Sequence, residues 1–403
     1  MKYYKNTELA ELYHVSEKAV RNWVESTSNG KLDLELTIIN GRQYVANTSK
    51  NHRIIEAQVE KGKKFKNTRS HKVIEPSKRF YELFTPTEIA DIMLNIDVHN
   101  EIPLQYTYFD GGASEWANYV QRILSNSSSP STPRSTIELL KKVEPQLEAV
   151  IEDRKVINII DIGIGDCSPI RGFLAFLIER GITVRYIGID LSKDMIEIAK
   201  RNLEEWFGDK ISFEARRRDI NHELFRDLTV EELYSTAQQR PLNIVLFLGG
   251  TLSNLRQPNH VLQGINNSMG RDDILIYSLK IDSEMSRRYF HDNNGGLSPH
   301  GLVLDLLNID ESYYEVEQFY DEKTRARYIQ ARLKLDVSIK FSFGNGEKIL
   351  ALKKGQAIVV WRAVHRTAVE VINQFDENGF DLLQASLTRD RSFLLTISKI
   401  KVG

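Results

Sequence analysis

The spacing of apolar residues changes period along the chain, and the changes divide it into segments. From Thr7 to about Glu25 apolar residues recur at helical spacing: Leu9, Ala10 and Leu12, then Ala19, Val20 and Trp23. Thr7 is placed to cap a helix over Glu8–Tyr13, and Ser16 to cap a second from Glu17 to about Glu25, with His14-Val15 turning between them. The period then drops to two. Leu34–Ile39 and Arg42–Ala46 flank Asn40-Gly41, a dipeptide that favours the tight turn of a hairpin. Helix, turn, helix and hairpin predict a small first unit over residues 1–50.

Residues 51–80 have little apolar periodicity and read as a basic linker. Helical patterns follow over 81–152. Thr85-Pro86-Thr87-Glu88 opens one helix, Asn126–Pro133 is a Ser/Pro loop, and a long helix runs from Ser135 to about Ile151. From 153 to 403 short apolar runs alternate with helices, the pattern of a parallel α/β sheet. The strands expected are Val156–Ile162, Val184–Ile189, Ile211–Ala215, Asn243–Phe247 and Ile274–Leu279, and the helices between them Pro169–Arg180, Lys193–Phe207 and Pro258–Met269. The tail reads differently, as antiparallel strands at Arg327–Val337, Ser338–Phe343, Lys348–Leu352, Phe380–Leu387 and Ser392–Lys399, with a helix at Thr367–Glu377. These strands are expected to complete the sheet and to add an α+β insertion over about 284–365.

Composition narrows the class. The 403 residues are 41% apolar and 27% charged, an ordinary globular balance large enough for two or three cores. A single cysteine, Cys167, excludes an internal disulfide and a cysteine-rich zinc module, and the histidines show no metal-ligand spacing. The apolar runs Phe173–Ile178 and Ile244–Leu248 are far short of the ~18 residues of a membrane span. A cytoplasmic protein with no membrane partner and no metal is the expectation. The net charge of −1 hides an asymmetry: residues 1–80 carry 16 Lys+Arg against 9 Asp+Glu, a net +7, which leaves −8 for the rest. Opposite signs point to different partners for the two parts.

The first unit resembles the excisionase-type winged-helix family. Glu8-Leu9-Ala10-Glu11-Leu12, Val15-Ser16, Val20-Arg21-Asn22-Trp23 and Gly41-Arg42-Gln43-Tyr44 carry the resemblance, over about an eighth of the chain. With Ala19, Val20 and Trp23 turned inward, Lys18, Arg21 and Asn22 point outward, and Arg42 sits in the wing; side chains of these types suit phosphates and base edges of a DNA major groove. One such unit makes few phosphate contacts, so tight binding calls for a homodimer. The competing reading is a helical cap that only packs on the rest of the protein.

Chemistry-bearing residues cluster at the expected strand ends. Asp161-Ile162-Gly163-Ile164-Gly165-Asp166 closes the first strand, with glycines that let backbone approach a ligand. Asp190 ends the second strand, 25 residues after Gly165, where an acid accepts ribose hydroxyls, and Arg218-Asp219-Ile220 follows the third, placed for an adenine amino group. Cys167-Ser168-Pro169 stands where a dinucleotide fold wants its third glycine. D-x-G-x-G, then an acid, then a second Asp is the class I methyltransferase pattern, with S-adenosyl-L-methionine as cofactor.

Leu246-Phe247-Leu248-Gly249-Gly250-Thr251-Leu252-Ser253-Asn254 resembles the strand-four block of the histidine Nα-methyltransferases of ergothioneine biosynthesis. Tyr108-Phe109-Asp110, Arg271-Asp272-Asp273, Ile281-Asp282 and Gly355-Gln356-Ala357-Ile358 extend the likeness over about 104–400. The resemblance implies a Rossmann-like class I methyltransferase, with Asp161, Gly163, Gly165, Asp190, Asp219, Ile220 and Gly249 around the cofactor. It implies substrate contacts from Asn254, Tyr289, Phe109 and a position that falls on Trp361. Departures matter as much. The glutamate and serine that hold the imidazole fall on Trp361 and Ala363, a tyrosine pair falls on Ser129–Ser131, and a cofactor-loop lysine falls on Pro169. A site without the groups that read a polar ring takes a different ligand. The expectation is therefore a methyltransferase for an amine or amino-acid-like molecule other than histidine. A nucleic-acid methyltransferase and a metabolite-sensing regulator without turnover stand as alternatives.

Overall fold

Residues 3–69, 71–125, 131–151, 154–229, 241–291, 301–343 and 346–402 are described by the computed structural model, with the side chains of 61–69 and 289–291 outside that description. The chain forms two units. Residues 1–73 with 335–338 make the first, and 74–334 with 339–403 the second.

In the first unit β1 (Tyr3–Tyr4) precedes α1 (Asn6–Leu12), α2 (Glu17–Ser28), the hairpin β2 (Leu36–Ile39) and β3 (Arg42–Ala46), and α3 (Ser49–Arg69). Ser16 caps α2, its Oγ accepting from the Ala19 amide at 3.3 Å. Thr7 does not cap α1; that helix starts earlier, and the Lys5 amide at its cap donates to Glu8 Oε2 at 2.8 Å. Both hairpin residues have positive φ, Asn40 at 51° and Gly41 at 76°, as the tightest two-residue turns require. Leu9, Val20, Val24, Leu34, Val45 and Ile55 are the buried core. Asn51 is buried among them: its Nδ2 donates to the Glu35 and Ala46 carbonyls at 3.0 and 2.8 Å, and its Oδ1 accepts from the Glu35 amide at 2.8 Å. The stretch expected to be a linker from residue 51 is thus helical from its start, as α3, because Asn51 and Ile55 are one helical turn apart and both face the core.

After β4 (His71–Ile74) come α4 (Lys78–Leu83), α5 (Pro86–His99), α6 (Gly112–Ser125) and α7 (Thr132–Ile151). Thr85 and Glu88 close a reciprocal capping box at the start of α5. The sheet of the second unit then builds from β5 (Val156–Ile162), α8 (Arg171–Glu179), β6 (Thr183–Asp190), α9 (Lys193–Phe207), β7 (Ile211–Arg217), α10 (Arg226–Thr229), β8 (Leu242–Phe247), α11 (Thr251–Asn254), α12 (Pro258–Ser268) and β9 (Ile274–Lys280). Further on are α13 (Glu284–His291), α14 (Leu302–Leu306), β10 (Tyr314–Asp321), β11 (Ala326–Leu333), β12 (Asp336–Phe343), β13 (Gly346–Leu352), β14 (Ala357–Val364), α15 (Ala368–Glu377), β15 (Phe380–Leu387) and β16 (Phe393–Ile400).

Seven strands lie in the order β15-β16-β9-β8-β5-β6-β7. β9, β8, β5, β6 and β7 run parallel, while β16 is antiparallel to β9 and β15 to β16. This is the class I methyltransferase sheet in a Rossmann-like α/β fold. Its central parallel strands β5, β8 and β9 are mostly apolar because both faces are covered, while β7 at the edge carries Glu214, Arg216 and Arg217. Ile157 and Ile159 pack with α7, α8 and α9 on one face, and Ile160 and Ile162 with α12 and α15 on the other. The order reverses between β5 and β8, which opens a crevice at the carboxyl ends of the strands.

β10, β11 and β14 form a separate antiparallel sheet. The chain just after α5 is fastened to it, the Ile102 amide donating to the Val359 carbonyl at 2.8 Å and the Val359 amide to the Asn100 carbonyl at 2.7 Å. The strand expected over Arg327–Val337 is two strands, β11 and β12, broken at Lys334-Leu335. Among the described residues no helix is long and apolar enough to cross a membrane.

Candidate active site

β5 ends in a turn that glycine makes possible: Gly163 and Gly165 have φ of 70° and 54°. The Gly163 amide donates to the Ile189 carbonyl at 2.9 Å, fastening the turn to β6. Ile164 leans over β6 at Gly188, where a Cβ would stand 2.3 Å from Ile164 Cδ1. The glycine in Ile187-Gly188-Ile189-Asp190 therefore serves the turn on the neighbouring strand. β8 ends in a second positive-φ pair, Gly249 at 78° and Gly250 at 84°, and their amides donate to Oγ and O of Ser278 on β9 at 3.3 and 3.1 Å.

These turns border a cavity of about 470 Å³, the size of a small-molecule site. Asp161, Gly163, Gly165, Asp190, Asp219, Ile220, Gly249 and Asn254 all line it. Asp161 is buried at the end of β5 and accepts from the Tyr186 hydroxyl at 2.5 Å. Burial pushes its carboxyl up to about 7; the Tyr186 bond opposes that shift and the Asp190 charge adds to it. Burial likewise raises Asp190 to about 6 against the amides of Ser192 and Leu191, the former donating to Oδ1 at 2.8 Å. Asp219 Oδ1 accepts the amide and the Nδ2 of Asn221 at 2.9 and 2.8 Å, which fixes the loop after β7.

Six acids line the cavity: Asp91, Glu101, Asp161, Asp166, Asp190 and Asp219. The described lining arginines are two, Arg218 and Arg256, and Arg218 is bound by both oxygens of Asp227. A crevice with two backbone turns in which six acids stand against two arginines fits a nucleoside that carries positive charge. Among the described residues no group of three or more His, Cys, Asp or Glu is gathered as a metal site.

A family model of histidine-specific, SAM-dependent methyltransferases matches residues 99–399. The chain belongs to that family. Its cofactor is S-adenosylmethionine, and Asp161, the two glycine turns, Asp190 and Asp219 are the groups on this chain that fit it. Solved structures similar to the methyltransferase include magnesium protoporphyrin IX methyltransferase of Synechocystis (12% identity, covering 74% of this chain and 98% of that one, TM-score 0.38). An S-adenosylmethionine-dependent methyltransferase from Clostridium acetobutylicum is 8% identical, covering 72% and 99%, with TM-score 0.36. An amino pentose methyltransferase from Micromonospora echinaspora, solved with SAM, is 11% identical, covering 70% and 97%, with TM-score 0.35. No curated protein matches the chain.

Two of the expected substrate residues are not among the cavity's lining. Phe109 packs instead in an aromatic cluster, 5.0 Å from Phe84 and 6.3 Å from Tyr106 by ring centroid. Its neighbour Tyr108 lines the cavity, and the Tyr108 carbonyl accepts from Ser192 Oγ at 3.0 Å. Trp361 sits on β14 opposite Ile329, with the Arg327 guanidinium 5.8 Å above its ring. The Tyr289 side chain lies outside the described residues, as do Ser129 and Pro130 of the Ser/Pro loop. In the first unit Lys18, Arg21, Asn22 and Arg42 are all exposed, and Arg21 is paired with Glu17 at 3.0 Å.

Sequence reasoning missed Glu101, Asp166 and Arg256. Asp166 stands inside the quoted turn, and its carboxylate accepts from Ser168 and from Gln121 of α6. Glu101 lies in a loop with no motif around it, and Arg256 lies two residues beyond the strand-four block, outside the pattern read there.

Proposed function

We propose that the methyltransferase transfers a methyl group to the nitrogen of a small amine or amino-acid-like acceptor other than histidine, and that its N-terminal unit binds DNA. The observation that carries the first part is that Asn254 lines the same cavity as the cofactor-fitting acids. In the family that asparagine contacts the substrate. The imidazole-holding positions fall here on Trp361, outside the lining, and on Ala363, a buried methyl on β14. Neither side chain makes the hydrogen bonds that would select an imidazole.

The cofactor, when bound, supplies an activated methyl on a sulfonium, so the chain's own tasks are placement and exclusion of water. The positive-φ turns let backbone amides and carbonyls approach the ligand. Asp190 and Asp219 are anchored by neighbouring amides and do not reorganise on binding. Tyr108 and Trp116 close one side as an edge-to-face pair with centroids 6.1 Å apart. An amine acceptor loses its proton before attack, so no dedicated base pair is required.

Support for DNA binding comes from the exposure of Lys18, Arg21, Asn22 and Arg42, and from the basic sign of residues 1–80. A homodimer would double the phosphate contacts of a single unit. The test of both parts is a reaction with methyl-deuterated S-adenosylmethionine. It is offered amines, amino acids and duplex oligonucleotides in separate mixtures, and products are read by mass shift. A labelled amine or amino acid supports the proposal, a labelled oligonucleotide makes the DNA itself the substrate, and cofactor binding with no labelled product in any mixture points to a sensor. DNA affinity is read by anisotropy over a salt series, with K18A/R21A expected to weaken binding and flatten the salt slope.

A further inference from the structure

The antiparallel sheet β10-β11-β14 turns one face toward the end of β9, and that face carries a cation without a counter-ion. Residues paired across antiparallel strands share a face. The pairs Arg327 with Ala363, Ile329 with Trp361 and Tyr320 with Arg327 therefore gather these side chains on one side. The Tyr320 hydroxyl donates to Asp282 Oδ1 at 3.4 Å, which seats this face against the chain just after β9. The half-buried Arg327 guanidinium stands 5.8 Å from the centre of the Trp361 ring. Among the described residues it makes no hydrogen bond and no ion pair. Its neighbours do: Arg287 binds both oxygens of Asp282, and Arg325 both oxygens of Glu370, each at 2.7 Å.

A second cation lies within electrostatic reach. Lys280 ends β9, with its Nζ 5.7 Å from the centre of the Phe393 ring. Burial, and then the Arg327 charge, bring its ammonium down to about 8, against an opposing effect of Asp390. Asp390 is itself occupied, accepting from Thr388 Oγ1 at 2.6 Å and Ser392 Oγ at 2.7 Å. Burial lowers Arg327 as well, and the opposing group there is Tyr119 of α6. Tyr119 packs on Trp116 with ring centroids 5.5 Å apart, and Trp116 lines the cavity. Lys280 is two residues beyond Ser278 on the same side of β9. Ser278 Oγ in turn accepts from the Gly249 amide at the cavity's second turn. The two cations thus stand on the flank of the cavity formed by Trp116 and Gly249.

Holding two partly desolvated like charges near one another is unfavourable, and an aromatic ring beside Arg327 leaves its charge uncancelled. An ammonium group would be repelled here. An oxyanion supplies the missing charge: the guanidinium fork takes two oxygens, and the ammonium and a tyrosine hydroxyl are further donors. The Ala363 methyl opposite Arg327 offers no competing acceptor.

We propose that Arg327, with Lys280 and the Tyr119 hydroxyl beside it, forms an oxyanion-binding site, and that it takes a phosphate-type group carried by the methyl acceptor away from its amine. The site stands on its own geometry; only the naming of its ligand as the acceptor rests on the proposed function.

The experiment is calorimetry on the full chain, alone and saturated with S-adenosylhomocysteine, with inorganic phosphate titrated at an ionic strength held constant by chloride. Saturable binding is expected. R327Q is expected to weaken it by about 10- to 100-fold, K280Q by less, and R327K to keep part of the affinity, while S-adenosylhomocysteine binds wild type and variants alike. Thermal unfolding of each variant separates loss of the site from loss of fold. Absence of saturable binding overturns the inference. So does binding that R327Q leaves unchanged, which would put the phosphate elsewhere, on the basic residues 1–80 for instance. A second arm assigns the source of the anion: each amine methylated in the mass-shift reaction is rerun with R327Q. An acceptor that bears an oxyanion, with a KM raised about 10- to 100-fold at nearly unchanged kcat, supports the inference. An acceptor without an oxyanion, or a KM that does not move, overturns the assignment to the acceptor and leaves a site for free phosphate. Phosphate binding with no methylated amine sinks the proposed function, and the acceptor assignment with it, but not the anion site.

Discussion

The contact between Gly188 and Ile164 gives the most direct handle on the cofactor turn. A Cβ at position 188 would lie 2.3 Å from Ile164 Cδ1, but 3.4 Å from Cγ1 and 3.7 Å from Cβ. Only the terminal methyl stands in the way. Ile164 is 4% exposed and packed in the core, so its displacement carries the turn with it. Gly188→Ala is expected to cost about 1–3 kcal/mol, the usual range for overpacking a core. Ile164→Val deletes the offending methyl and on its own costs about 0.5–1.5 kcal/mol. Combined, the two should cost little more than Ile164→Val alone, because the remaining 3.4 Å approach needs only a small adjustment. The assay is urea unfolding of the four proteins as a double-mutant cycle, with S-adenosylhomocysteine affinity measured on each by calorimetry. Gly188→Ala should weaken that affinity as well, since Ile164 lies between the two glycines of the turn, and the second substitution should recover it. Strict additivity in both measurements would refute the assignment of Gly188 to the turn.

Three further outcomes follow from the same structure. Asp161 and Asp190 have folded-state values raised above the unfolded carboxylate range, so the stability they lend is full at low pH and drains as pH rises through about 6 and 7. His365, lowered to about 4 by burial, acts oppositely below its ordinary value of 6.5. Because His365 is common to both proteins, Asp161→Asn should isolate the first effect: between pH 5 and 8, wild type loses about 2–3 kcal/mol relative to the variant in urea unfolding. Asp190→Asn should weaken S-adenosylhomocysteine binding by about 10- to 100-fold, as expected for loss of a charged hydrogen bond to the ligand, while urea unfolding shows that the variant is still folded. Asn51→Ala leaves the Glu35 amide without its partner and removes one of two donors from each of the Glu35 and Ala46 carbonyls, and should destabilise the first unit by about 1–2 kcal/mol, read by limited proteolysis there, while cofactor affinity is unchanged.

β5, β8 and β9 were legible because each is a short, mostly apolar run bounded by turn residues, and β5 and α9 match the expected ends residue for residue. The turn after β5 and the acids at strand ends carry a spacing that chemistry imposes. β10 escaped because exposed polar residues interrupt it, whereas β14, an apolar run broken only by Arg362, went unassigned. The break between β11 and β12 has no glycine or proline to mark it. α3 looked like a linker because its lysines dominate the composition, while its anchor is one buried asparagine. Glu101 and Arg256 are distant in sequence and meet only through the bridge between the loop after α5 and β14, a non-local contact that no local pattern announces.

Cys167 sits under the cofactor turn with φ of 60°, buried, its Sγ 3.3 Å from the Tyr186 hydroxyl. It is also the sole thiol of the chain. It also lines the cavity in which the cofactor-fitting acids stand, so a ligand seated there should slow its reaction with a thiol reagent. Occupancy of the cavity is thus readable by mass spectrometry without any engineered label.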